Sequence, residues 1–399
     1  MIDRLLHTPD GVRDILDKEC ARKQALEKHL HKIFTSYGYR DLETPTFEFF
    51  DVFSREVGTI PSRELYKFFD REGNTLVLRP DFTPSIARAA AKYYQDEDKA
   101  VRLCYQGNTF INNMSYQGHL KESTQMGAEL LNDDSAEADA EMIALSIDLL
   151  LTAGLKEFQV SIGHVDFFKG LMKEAGLSET EEQELRSLIS MKNHFGVEEY
   201  LKQFQLRSDL EEALKSLPEL FGNGEILKSA KNMTQNSEAI QAVERLEEIL
   251  DILTMYGLEK YVSFDLGMLN KYQYYTGVIF RGFTYGTGDA VVKGGRYDHL
   301  LTRFGKPSPS IGFGLVIDRL LNALSRQKIT VELEEGPTLL LYEKAHRHEA
   351  MMETRALQKQ GCSVVLMEMK DTLEAYEAYG KRNGFYAVRK FSPDDSLAM

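Results

Sequence analysis

The chain has 399 residues, 43% of them hydrophobic and 28% charged, which is enough for two or three domains with cores of their own. Its formal net charge of −14 leans against nucleic acid as a partner, because lysine and arginine contacts to phosphate dominate that kind of affinity. No apolar run approaches the ~20 residues of a membrane span, Met1-Ile2-Asp3-Arg4 lacks the apolar stretch of a signal peptide, and Cys20, Cys104 and Cys362 show no metal-type spacing. A cytoplasmic protein with free thiols, no metal, no membrane and no nucleic acid is the expectation.

Residues 8–40 open with TPDGVRD and continue as a helical pattern, with Leu26, Leu30, Ile33 and Phe34 on one face and Gly38 as a C-terminal cap. YRDLETPTFEFF follows at 39–50, where Pro45 reads either as an edge or turn proline or as part of a longer motif. LYKFFDREGNTLVL at 65–78 predicts a hairpin turning at Glu72-Gly73-Asn74. Strands are predicted at 101–105 and 125–131, a helix at 136–153 and a strand at 160–162. Residues 167–258 are rich in Leu and Glu with helical periodicity, for example Ile240, Val243, Leu246, Ile249, Leu250 and Leu253 behind a Ser237 cap. They carry no chemical motif and read as an inserted helical subdomain with solvated charge faces. Strand patterning resumes at Val262, passes a Gly-rich turn at 284–288, and ends in a strand-to-helix segment over 310–324. A linker is read at 332–337, and residues 338–390 alternate as a small β/α domain.

Four segments carry chemistry. LRPDFTPSIAR runs into RLCYQGNTFINNMSYQGHLKESTQMGAELL, setting Arg79-Pro80-Asp81, Thr83, Arg88, Gly107, Phe110, Gly118, Gln125, Gly127 and Glu129 in one frame. NKYQYYTG spans 270–277, GGRYD spans 294–298, and GFGLVIDR spans 312–319. His346-Arg347-His348 is a close histidine pair but lacks cysteine or carboxylate partners at ligand spacing, so no metal site is expected.

Together these segments, from about residue 8 to 326, resemble the catalytic core of histidyl-tRNA synthetase, a class II aminoacyl-tRNA synthetase. The resemblance implies an α+β fold: a class II synthetase-like antiparallel sheet flanked by helices, with a helical insertion and a small C-terminal α/β domain. The implied domains are 1–166 with 259–328, 167–258, and 337–399. The Pro45 segment is similar to motif 1, which in that family lies at a dimer interface. The resemblance places a histidine ligand against Asp81, Thr83, Gln125, Glu129 and Tyr275, with Tyr274 adjacent. Physically, an α-ammonium suits the carboxylates and the hydroxyl of Asp81, Glu129 and Thr83, while the two imidazole nitrogens need Tyr or carboxylate partners. The family has glutamate where Asp81 stands, one methylene longer.

The family's motif 2 pair and its signature arginine do not carry over. Its second motif has the form F-R-x-E, but this chain reads Phe110-Ile111-Asn112-Asn113. Its R-G-L-D-Y-Y-T signature begins here with Asn270-Lys271. Phosphate activation needs a fixed, bidentate arginine and Mg²⁺, and losing one such partner costs about 10²–10³ in rate. Arg319 matches the arginine that meets the ATP γ-phosphate in the family, so it is a candidate anion-binding residue or a structural partner of Asp318. Lys293 and Arg296 read as anion ligands or as a surface ion pair.

The C-terminal piece is shorter than a full anticodon-binding domain and has no evident basic stripe. A kept pocket, a lost motif 2 arginine and a reduced C-terminal domain resemble the paralogous regulatory subunits of ATP phosphoribosyltransferase. That resemblance implies a non-catalytic chain with no cofactor, binding L-histidine and partnering the short-form catalytic subunit. It further implies a homodimer within a hetero-octamer, carrying feedback inhibition at the first step of histidine biosynthesis. Two other readings stay open from the sequence: an active synthetase with divergent motif 2, and a stand-alone amino-acid sensor or class II-derived amide ligase.

Overall fold

The computed structural model describes residues 6–54, 60–113, 120–269, 274–333 and 335–393. Gly118, Asn270 and Lys271, singled out above, lie outside the described residues, as do the rest of 114–119 and 270–273. Contacts group the chain into two compact units. One holds residues 26–330 with the segment ending at Asp14; the other holds Ile15–Ala25 with the residues from Val331 on.

Helix α1 (Asp17–Ser36) begins in the second grouping and ends in the first. Leu26, Leu30 and Phe34, each four residues apart, form its buried stripe. Gly38 takes φ +80° just past its end, and its N–H donates to the carbonyl of Thr35. The chain then forms β1 (Arg40–Asp41), β2 (Phe47–Phe49), β3 (Lys67–Phe69) and β4 (Thr75–Leu78). The β3–β4 turn holds Gly73 at φ +87°, and the Asp70 carboxylate accepts from the Asn74 N–H at 2.8 Å. β2, β4 and β3 make a small antiparallel sheet.

Next come α2 (Thr83–Tyr93), β5 (Val101–Phe110), β6 (Glu122–Leu131), α3 (Ala136–Thr152) and β7 (Phe158–His164). β5 and β6 run longer than the predicted 101–105 and 125–131, because polar Gln106, Asn108 and Thr124 continue the ladder beyond the apolar runs. The insertion comprises α4 (Val165–Ala175), α5 (Glu179–Ser190), α6 (His194–Leu201), α7 (Ser208–Ser216), β8 (Phe221–Gly222), α8 (Glu225–Asn232) and α9 (Ser237–Met255). Ser237 is not the cap of α9. The Asn236 side chain accepts from the N–H groups of Glu238 and Ala239, which puts Ser237 inside the helix. β9 (Val262–Asp265), β10 (Val278–Thr284), β11 (Val292–Arg296), β12 (Ser310–Val316) and α10 (Ile317–Arg326) close the unit.

The principal sheet has nine strands in the order β1-β5-β6-β12-β11-β10-β7-β9-β8. Its centre is antiparallel as expected, but the sheet is mixed: β1 runs parallel to β5 and β9 parallel to β7. Both parallel pairs join strands separated by long excursions through other elements, the connection that parallel pairing requires. One face is apolar. Met126, Ala128, Leu130 and Phe313 are buried there, and Phe34 of α1 stacks on Phe313 at 6.2 Å. The other face carries the polar and glycine positions of β6 and β12.

The second unit contains β13 (Thr338–Tyr342), α11 (Arg347–Lys359), β14 (Val364–Glu368), α12 (Leu373–Arg382) and β15 (Ala387–Lys390). Its three strands are parallel in the order β14-β13-β15, the β/α alternation read from the sequence. Among the described residues no helix is long and apolar enough to cross a membrane.

Candidate functional site

The site grows from the two-residue period of β6. Gln125, Gly127 and Glu129 share one face of the sheet. The register sets them opposite Val316, Gly314 and Gly312 of β12 on one side, and opposite Gly107, Tyr105 and Leu103 of β5 on the other. The absence of side chains on β12 is what leaves room. A Cβ at Gly312 would fall far inside contact distance of the Glu129 carboxylate, and one at Gly314 would do the same to the Gln125 amide.

Glu129 is wholly buried, an environment that carboxylates rarely occupy unpaired. It accepts from the Thr83 hydroxyl at 2.8 Å and, through its other oxygen, from the hydroxyl of Tyr297. Thr83 is placed by the first turn of α2, where Pro84 suits an N-terminal position. Asp81 stands just before that helix and accepts from the Phe82 N–H at 2.7 Å. Burial pushes the Glu129 carboxyl up to about 8; the Tyr297 and Thr83 hydrogen bonds oppose the rise, and the nearby Asp81 charge adds to it. Tyr105 stacks on Phe82 at 4.3 Å, and its hydroxyl accepts from Gln125 Nε2 at 2.9 Å.

Tyr274 and Tyr275 stack at 4.3 Å, and Tyr274 meets Tyr297 edge-on at 6.2 Å. Burial, then the Tyr275 and Asp81 neighbours, push the Tyr274 phenol well above its ordinary value. Behind them, Thr276 donates its hydroxyl to Asp298 at 2.8 Å and its N–H to the Arg296 carbonyl at 2.8 Å, anchoring the Tyr-Tyr-Thr segment to β11. Asp81, Thr83, Gln125, Glu129, Tyr274 and Tyr275 thus belong to one polar cluster over the sheet. Tyr105 and Tyr297 belong to it too and were not singled out from the sequence. Tyr297 lies in the GGRYD segment, where the charged Lys293 and Arg296 drew the reading instead, and Tyr105 was visible only as an aromatic two places from Gly107.

The remaining sequence candidates separate from that cluster. Arg319 pairs with Asp289 at 2.7 Å and donates to the Ala290 carbonyl at 2.9 Å. Its structural partner is therefore Asp289, not Asp318, whose carboxylate instead accepts from the Thr124 N–H at 2.7 Å. Lys293 also pairs with Asp289, at 2.8 Å. Arg296 makes no surface ion pair: it is buried and donates through Nε and Nη2 to Asp139 at 2.9 and 2.7 Å. Arg79 donates to the carbonyls of Asn108 and Thr44, both at 2.8 Å, and lies over the Phe82 ring, tying the Pro45 segment to β5. At the motif 2 position Ile111 offers only its backbone, donating its N–H to the Lys121 carbonyl at 2.8 Å. Neither an arginine fork nor a carboxylate stands at 111 and 113.

The family model described as Histidyl-tRNA synthetase matches residues 11–320. An ATP phosphoribosyltransferase regulatory subunit of Acetivibrio thermocellus is 42% identical over 399 residues, covering 100% of this chain and 96% of the relative. The chain belongs to the family of ATP phosphoribosyltransferase regulatory subunits. A protein of the same name from Ruminiclostridium cellulolyticum is 42% identical over 387 residues, covering 96% of this chain and 92% of the relative. A crystal structure described as an ATP phosphoribosyltransferase regulatory subunit/histidyl-tRNA synthetase from Bacillus halodurans superimposes with a TM-score of 0.86 at 33% identity, covering 97% and 98% of the two chains. Members of this family are regulatory subunits with a synthetase-like fold, and the name implies a catalytic partner. That agrees with the loss of the phosphate-handling arginine at Ile111.

Proposed function

We propose that this chain binds L-histidine in the cluster around Glu129 and passes feedback inhibition to the short-form catalytic subunit of ATP phosphoribosyltransferase, whose activity it also supports. The assembly is a hetero-octamer built on homodimers of this chain, working in the cytoplasm without nucleic acid or membrane. The observation that carries the reading is the fully buried Glu129, held by Thr83 and Tyr297 beside Asp81 in a space cleared by Gly312. A ligand ammonium among these oxygens would receive charge-assisted hydrogen bonds. The tyrosine hydroxyls and Gln125 supply the partners an imidazole needs, and a site built that way rejects isosteres that cannot fill them. Arg319 is the anion-binding candidate, and an anion there must compete with Asp289.

Coupling between the pocket and the partner is reciprocal: the state of the complex that binds histidine better is the state histidine favours, typically by ~1–3 kcal/mol. Calorimetric titration of the chain with L-histidine, then with ATP and Mg²⁺, tests the reading. Histidine binding without histidine-dependent ATP–pyrophosphate exchange, together with co-purification of the catalytic subunit, supports it. Exchange would instead make the chain a working synthetase. Failure to bind histidine both alone and in the complex would remove the pocket assignment.

A further inference from the structure

The turn at Gly38 brings the end of α1 and strand β1 alongside β5, and the register sets Asp41 directly opposite Cys104. Cross-strand partners point to the same side of a sheet, and His31 of α1 reaches that side. His31 Nε2 lies 2.7 Å from Asp41 Oδ1, Cys104 Sγ lies 3.5 Å from the same oxygen, and the three ligand atoms all fall within 4.8 Å of one another. We propose that His31, Asp41 and Cys104 form a three-ligand site for a borderline-soft divalent cation such as Zn²⁺, with its fourth position open to solvent.

Imidazole, carboxylate and thiolate are ligand types that Zn²⁺ accepts at about 2.0–2.3 Å, which spaces tetrahedral ligands roughly 3.3–3.7 Å apart. The Asp41–Cys104 pair already has that separation. The His31–Asp41 pair must open by less than about 1 Å on that geometry, and both side chains are free to do so, at 39% and 67% exposure. Binding exchanges the Cys104 thiol proton, released to solvent, for the metal–sulfur bond, while neutral His31 ligates through Nε2. Two anionic ligands then balance the dication, which suits a site with one buried member. Cys104 is buried, which argues for a structural cation site over a catalytic or redox thiol. Cys104 and Tyr105 face opposite sides of β5, so a bound ion would stiffen the strand that carries a pocket tyrosine.

The test treats the full chain with a chelator and titrates it with Co²⁺, then Zn²⁺. One equivalent of Co²⁺ with a near-ultraviolet thiolate charge-transfer band is expected, displaced by Zn²⁺ with release of one proton. The Cys20→Ser/Cys362→Ser double variant keeps the band and Cys104→Ser abolishes it. His31→Gln, a change at a partly exposed position that leaves the fold intact, weakens binding by at least about tenfold. Absence of the band in the parent chain overturns the proposal, as does a band that is unchanged in His31→Gln or that disappears with Cys20 and Cys362.

Discussion

Glu129 is the residue on which the pocket turns, and its proton is the most informative observable. Its folded-state value of about 8 lies above the ordinary 4.5, so the folded chain holds a proton there that the unfolded chain gives up. Between those values stability falls as pH rises, because the folded state binds more protons. A ligand ammonium reverses the preference for the acid form. L-Histidine binding should therefore release a proton from Glu129 below pH 8, seen as a buffer-dependent heat in calorimetry, and Glu129→Gln should remove that contribution and weaken binding by ~1.5–3 kcal/mol, the range for a hydrogen bond to a charged group. An unchanged buffer dependence in the variant would place the proton elsewhere. Gly312→Ala puts a methyl where the Glu129 carboxylate sits, and since that carboxylate is buried and held on both oxygens, histidine binding should be lost with a lowered melting temperature. The Asp81, Thr83 and Glu129 grouping was legible in the sequence through motif resemblance. Tyr297 and Tyr105 were not, because nothing local in a sequence says which buried carboxylate or amide a phenol will reach. The His31–Asp41–Cys104 grouping was equally invisible: His31 and Cys104 lie on either side of Asp41 in the chain, 10 and 63 residues away.

The elements are tied together by a buried carboxylate on α3. Asp139, fully buried, pairs with Arg296 of β11 at 2.7 Å and with Arg245 of α9 at 2.8 Å, and Arg245 also donates to the Asp134 carbonyl. Through it the helical insertion is fastened to the sheet. Asp139→Ala would leave Arg245 without its carboxylate and Arg296 with Asp298 at 3.3 Å, and removing one member of a buried pair costs about 3–5 kcal/mol. Denaturant melts followed by circular dichroism should show a loss of that order, whereas Arg245→Met, at a partly exposed position, should lose less. Helix and strand periods made most elements readable: the α1 stripe, the turn at Gly73 and the alternation of the C-terminal strands and helices need only local chemistry. The parallel partners of β1 and β9 were not readable, since no turn signal joins them to β5 and β7. The cap of α9 was misplaced by one residue because Asn236 and Ser237 are both good caps and only backbone geometry chooses between them.

At the scale of the molecule, the small β2-β4-β3 sheet leaves Phe47 and Phe49 more than half exposed, with Phe68 edge-on to Phe47 at 5.7 Å. Contiguous exposed aromatics of this kind mark an interaction surface, and the proposed homodimer is the partner that the motif 1 resemblance assigns to it. Light scattering should give about twice 45.5 kDa for the isolated chain, and Phe47→Asp/Phe49→Asp should halve that mass without changing the circular dichroism. Mixing with the catalytic subunit should give the larger hetero-octamer, and an unchanged mass would remove that assembly. The glycines of β12 have a consequence for heredity. The seats of Glu129 and Gln125 are recorded in side chains that are not there, so every coding change at Gly312 or Gly314 displaces one of them. A selection for cells that escape histidine control should therefore return glycine codons of β12 more often than codons for the residues that would touch the ligand.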